Sequence, residues 1–270
     1  MVSYILGLNP IILALLGTTF TFLATTAGAA VVYLVKKEVT PNIQHGFLGF
    51  AAGVMIAASV WSLLIPSIEM AEEQGISGWI PAAGGCIFGG VFLFILDRIL
   101  PHLHLDADKP EGLKSSFKRT TMLVLAVTLH NIPEGMAVGL SFGLAGQLNS
   151  HADLMTAFAL ALGIGIQNFP EGAAISLPLR KEGFSKNKSF VYGSLSGIVE
   201  PIAGLIGASL ATSVAGIMPW MLSFAAGSMI YVVVEELIPE SQSLNEHSHA
   251  GTIGTMVGFL VMMVLDVALG

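Results

Sequence analysis

Two short motifs place ligand-type side chains inside apolar runs. His130-Asn131-Ile132-Pro133-Glu134-Gly135 follows MLVLAVTL, and Gln167-Asn168-Phe169-Pro170-Glu171-Gly172 follows AFALALGIGI. On a helix, residues four apart share a face, so His130 pairs with Glu134 and Gln167 with Glu171. Asn131 and Asn168 stand about 100° further round. Pro133 and Pro170 lack an N–H, which frees the carbonyls of Leu129 and Ile166 one turn earlier. Glu200, in GIVEP (Gly197–Pro201), adds a third acid within an apolar stretch. Each feature has a plain structural reading. A membrane His or Asn joins helices, a proline kinks one, and Met55 alone packs a core. The combination is different: two antiparallel helices bearing these motifs place His, Gln, two Glu and two Asn around one volume, the composition of a cation site.

The acids need a partner. A carboxylate at the centre of a membrane helix costs roughly 2.5–3.5 kcal/mol, so Glu134, Glu171 and Glu200 together cost about 8–10 kcal/mol. No Lys or Arg falls in the core of an apolar stretch to pair with them. Protonation or a bound cation remains. Imidazole argues against Mg²⁺ and Ca²⁺, and the lack of thiolates against Cu⁺, which leaves divalent first-row metals and their neighbours. The amides are weak ligands and suit a carrier that must release its load. The metal is then cargo, and no resident cofactor or nucleic-acid partner is expected. An HExxH metalloprotease needs a base beside the first His and a second His four residues on. Asn131 and Glu134 stand at those positions, so no enzyme is expected. A proton- or sodium-coupled carrier of another solute would use the acids but leave His130 and Gln167 unexplained.

Positioning falls to eight apolar stretches: 8–35, 45–66, 80–100, 120–145, 154–179, 189–212, 218–240 and 251–269. A bilayer core takes roughly 20 apolar residues per helix. Of the 270 residues 54% are hydrophobic and 11% charged, against about a quarter charged in soluble domains. Residues 1–270 therefore read as a single all-α transmembrane domain with eight helices. The first stretch lacks a basic n-region and is too long for a signal peptide. Cys86 is alone, so no disulfide framework is expected.

All 11 basic residues lie near three alternate loops. Lys36 and Lys37 follow stretch 1, Arg98 to Arg119 surround the third loop, and Arg180 to Lys188 surround the fifth. The positive-inside rule makes these loops cytoplasmic and both termini extracytoplasmic. FAAGVMIAASVWSLLIP (Phe50–Pro66) in stretch 2 matches FAAGSMIYVVVEELIP (Phe224–Pro239) in stretch 7 at both ends. Gly85, Gly89 and Asp97 in stretch 3 match Gly254, Gly258 and Asp266 in stretch 8, and Gly17 and Gly28 match Gly193 and Gly204. The copies run in opposite directions. An inverted repeat of stretches 1–3 and 6–8 around a central pair, a 3+2+3 plan, is common in secondary transporters.

HNIPEG, QNFPEG and GIVEP resemble the signature of the ZIP (Zrt/Irt-like protein) divalent-metal transporters. AAGVMIAASVWSLLIP (Ala51–Pro66) and PHLH (Pro101–His104) are similar to the GufA-like branch. The resemblance implies transport of zinc, with cadmium, iron or manganese as related ions, toward the cytoplasm across a plasma or inner cell membrane. It implies a binuclear site. One position takes His130, Glu134, Gln167 and Glu171, completed by Met55; the other takes Asn131, Asn168 and Glu200, with Glu134 and Glu171 bridging. Members often carry Asp where this chain has Asn168, so the second position here has one charge fewer. The resemblance also implies a homodimer and an elevator-type motion of stretches 1, 4, 5 and 6 against 2, 3, 7 and 8. Ser62 and Glu69, seven and fourteen residues beyond Met55 on one face, sketch an entrance pathway. Asp97, His102, His104, Met229, Glu235, Glu236, Glu240 and Asp266 sketch a cytoplasmic release pathway.

Overall fold

Prolines and capping side chains mark where helices begin. Ile11 N–H donates to Asn9 Oδ1 at 2.9 Å, and Pro10 takes the first helical position, where its missing N–H is no loss. Pro41 opens the second helix in the same way, and Ser185 Oγ accepts from Lys188 N–H at 3.3 Å before the sixth. The computed structural model describes residues 8–35, 40–99, 119–148, 150–181, 183–213, 215–242 and 249–269, and every regular element among them is helical. They form α1 (Pro10–Leu34), α2 (Pro41–Glu73), α3 (Trp79–Ile99), α4 (Arg119–Leu148), α5 (His151–Lys181), α6 (Lys186–Ser213), α7 (Met218–Ser241) and α8 (Ala250–Leu269).

Among the described residues, seven helices are long and apolar enough to cross a membrane, and α4 is not one of them. Its 30 residues supply ample length at about 1.5 Å each. The boundaries expected from the sequence agree within a few residues except at α2. That helix continues to Glu73, because a helix needs no apolar residues once it has left the hydrocarbon. His102 and His104 lie outside the described residues.

Four helix pairs pack most extensively: α2 with α8, α3 with α7, α4 with α6, and α1 with α5. Helices α1, α4, α5 and α6 also pack among themselves, and α7 packs on α2. Between these two groups α5 meets α2 and α8, and α4 meets α7. Lipid supplies no hydrophobic drive between helices, so association rests on close approach of small residues. A Cβ on Gly254 or Gly258 of α8 would meet the backbone of α2 at Gly46 or Phe50. Large side chains such as Ile87 (64% exposed) and Ile253 (61%) cover the outer faces.

Helices α2 and α7 each contain a π-helical turn, Ser59–Leu64 and Val233–Leu237, and in both an Ile-Pro pair follows at once. Proline removes a donor from the preceding turn, and a widened turn is one way the backbone adjusts. The first such turn carries Ser62; the second carries Glu235 and Glu236.

Candidate metal site

HNIPEG lies inside α4 and QNFPEG inside α5, and both helices continue through their prolines. The glycine that closes each motif lets a neighbouring backbone come close. A Cβ on Gly135 would strike the backbone of Glu200, and one on Gly172 the carbonyl of Thr25. The motifs thus draw α6 onto α4 and α1 onto α5 where the ligands stand. Met55, His130, Asn131, Glu134, Gln167, Asn168 and Glu200 are buried, while Glu171 is partly exposed.

Hydrogen bonds tie four helices together at this level. Gln167 Nε2 donates to Glu134 Oε1 at 2.6 Å, joining α5 to α4. Asn168 Nδ2 donates to Glu200 Oε2 at 2.9 Å, joining α5 to α6, and Thr25 Oγ1 of α1 donates to Glu200 Oε1 at 3.2 Å. Asn131 Nδ2 donates to the Ser196 carbonyl at 3.0 Å. These partners are acceptors, which fixes each amide with its nitrogen toward them and its oxygen away. The oxygens Asn131 Oδ1, Gln167 Oε1 and Asn168 Oδ1, together with Glu134 Oε2, are buried and accept no hydrogen bond. A buried acceptor without a donor costs about 1–3 kcal/mol. Four on the expected ligand residues call for a cation, which satisfies them without needing donors.

His130 is turned differently. Its Nε2 forms an ion-pair contact with Glu236 Oε1, reaching from α4 to the π turn of α7. Among the described residues no group of three His, Cys, Asp or Glu side chains stands as a preformed metal cage. Amides make up part of the expected ligand set, and His130 is engaged with Glu236.

The remaining expected residues fall at the two ends of the helices. Tyr231 Oη donates to Asp97 Oδ2 at 3.2 Å between α7 and α3. Met229 is fully buried in α7, Glu235 is exposed and Glu240 is half-buried. Glu69 is exposed on α2. Ser62 Oγ donates to Asp266 Oδ1 at 2.6 Å, and Asp266 Oδ2 is buried without a partner. Helix α8, which carries this acid, packs closely on α2. Its C-terminal end thus lies beside Ser62.

The ZIP Zinc transporter family model matches residues 103–266. The chain is 39% identical to "Zinc transporter ZIP11" of Xenopus tropicalis over 336 residues, covering 98% of this chain and 99% of that protein. It is also 39% identical to "Zinc transporter GufA" of Myxococcus xanthus, covering 92% of this chain and 95% of that one. With "Zinc transporter ZIPB" of Bordetella bronchiseptica it shares 37%, over 95% and 81% of the two chains. The chain belongs to the ZIP zinc transporter family. It is a multi-pass membrane protein from a family of transporters rather than enzymes, with GufA-like relatives.

Two residues of this ZIP chain join the cluster without having been singled out by spacing. Thr25 bonds Glu200, and Ser196 offers its carbonyl to Asn131. Thr18, Thr21 and Thr25 are all buried, at helical spacings of three and four. That periodicity is the signal in the sequence. Ser196 had none, since it acts through its backbone.

Proposed function

We propose that this ZIP chain carries divalent transition-metal ions, zinc first, toward the cytoplasm through a midplane binuclear site. The observation that carries the reading is the set of four buried acceptor oxygens on Asn131, Glu134, Gln167 and Asn168. The relatives' names make zinc the first ion to test; cadmium is a convenient surrogate, and iron and manganese follow from the same donor chemistry. Gln167 Oε1 and Glu134 Oε2 offer one pair of donors, to which His130, Glu171 and Met55 add nitrogen, oxygen and sulfur. Asn131 Oδ1, Asn168 Oδ1 and Glu200 belong to the second position. Loading the first position requires His130 to exchange Glu236 for the ion.

The reading extends to eight spans with both termini outside and to an inverted repeat. Its support is the match of α2–α8 packing with α3–α7, of α4–α6 with α1–α5, and of the two π turns before Ile-Pro. The mutual packing of α1, α4, α5 and α6 supports their moving as one body against α2, α3, α7 and α8. Ser62, Glu69 and Asp266 then serve the entrance; Asp97, Met229, Glu235, Glu236, Glu240 and the two PHLH histidines serve release. A homodimer is proposed from the family resemblance.

Zinc or cadmium influx into proteoliposomes tests this, comparing wild type with Glu134→Ala and Glu171→Ala. Wild type is expected to carry the ion, and each variant to lose most of that flux. Equal flux in all three would remove both carboxylates from the path. No flux in wild type would sink metal transport and favour an ion-coupled carrier of another solute.

A further inference from the structure

A cavity of ≈ 450 Å³ opens between the end of α1, the start of α2, the post-proline half of α5 and the end of α7. Phe169 and Pro170, next in sequence to Asn168 and Glu171, line one end of it. Its other end lies among helix termini that the basic loops assign to the cytoplasm. The lining is almost wholly apolar. Gln44, His45 and Glu240 alone bring side-chain atoms able to bind a metal. All three are half-buried. Among the described residues the His45 imidazole makes no hydrogen bond or ion pair, while Glu240 has a polar interaction of its own. A histidine at a membrane boundary is ordinarily turned to water. Here it borders a largely apolar cavity that the neighbours of Asn168 and Glu171 also line, together with a carboxylate-bearing residue.

We propose that His45 and Glu240 form a transfer site for the departing divalent ion, with the Gln44 carbonyl as an auxiliary ligand. This rests on the transport reading and adds a place at which the ion pauses. Imidazole nitrogen with carboxylate oxygen is a ligand pair that zinc accepts, and water fills the remaining positions. A site with few protein ligands keeps open coordination and lets its ion go, as an exit requires. Both ligands sit on α2 and α7, which pack together, while the cavity's opposite wall is α5. The ion therefore passes from α5 to the other group of helices when it leaves Glu171. Neither HNIPEG nor QNFPEG contains this step, and His45 belongs to no motif in the sequence.

Two measurements test it. Zinc flux into proteoliposomes is expected to fall about tenfold in His45→Ala and in Glu240→Gln, a loss of the size seen when a group supporting a metal site is removed. The double variant is expected to lose little more, because both changes damage one site. Separately, His45→Cys in a Cys86→Ser background is labelled by a membrane-impermeant maleimide applied at the cytoplasmic face. Zinc is expected to slow labelling with Glu240 present and to have little effect in the added Glu240→Gln variant, a readout that a merely structural role would not move. Wild-type flux with an unchanged His45→Ala rate overturns the proposal, and so does labelling indifferent to zinc. A wild type that carries no zinc, while zinc still protects the cysteine, overturns the transport reading and leaves the site standing.

Discussion

Asn168 can be recharged by one atom's substitution, which makes it the most informative ligand position. Its Nδ2 donates to Glu200 Oε2 at 2.9 Å, while its Oδ1 has no donor. Asn168→Asp removes the N–H and sets two carboxylates side by side. Without metal the change is a loss: a hydrogen bond to a charged group is worth about 1.5–3 kcal/mol, and like charges in a low dielectric repel. With zinc bound, the new oxygen becomes a charged ligand beside Glu200. The variant is expected to melt at a lower temperature than wild type in chelator and to gain more from added zinc, since a ligand that binds only the folded state raises its stability. Thermal melts in detergent, with chelator and with zinc, read both terms. Equal zinc gains in the two proteins would take Asn168 out of the site. Glu236 shows the other residue-scale lesson. It is expected on the release path, and the structure puts it against the His130 nitrogen that the proposed site would use.

At the scale of helices, glycine decides how near the ligands can stand. Gly135 of α4 lies against the backbone of Glu200, so Gly135→Ala must push α6 away from the motif. Overpacking of this kind costs about 1–3 kcal/mol. Gly90 of α3 has nothing within 4 Å of where a Cβ would sit. Gly90→Ala is therefore expected to be neutral or slightly stabilising, with a helix-propensity gain of at most about 0.5–1 kcal/mol. Thermal unfolding of the two variants in one detergent checks the contrast; an equally large loss in both would mean that close approach is not what Gly135 provides. The same scale explains what the sequence could disclose. Spacings within one helix were legible, so His130 with Glu134 and Gln167 with Glu171 were paired correctly as faces of α4 and α5. Contacts between helices were not. Thr25 reaching Glu200, Asn131 reaching the Ser196 carbonyl and Ser62 reaching Asp266 depend on how helices lie side by side, which no spacing records. The π turns were hidden for a similar reason. One surplus residue in a turn changes the backbone path of α2 and α7 without leaving an unusual residue type behind, and only the Ile-Pro that follows both hints at it.

For the whole molecule, the direction of each span decides which polar residues belong to entry and which to release. The assignment rests on the 11 basic residues, all near the loops after α1, α3 and α5, with acidic residues such as Glu72, Glu73 and Asp153 on the opposite side. Lys and Arg are held back on the cytoplasmic face during insertion, so the loop after α1 is expected inside and the loop after α2 outside. Two exposed positions report on those loops. Thr40 precedes α2 and makes no side-chain cap, and Ser77 lies between α2 and α3. In a Cys86→Ser background, Thr40→Cys and Ser77→Cys are each expected to fold as wild type, because neither side chain is buried. An impermeant maleimide added to intact cells is expected to label Ser77→Cys rapidly and Thr40→Cys only after the cells are opened. The reverse order would turn the molecule over: Ser62 and Asp266 would then face the cytoplasm, the His45 cavity would become an entrance, and the same midplane ligands would serve export.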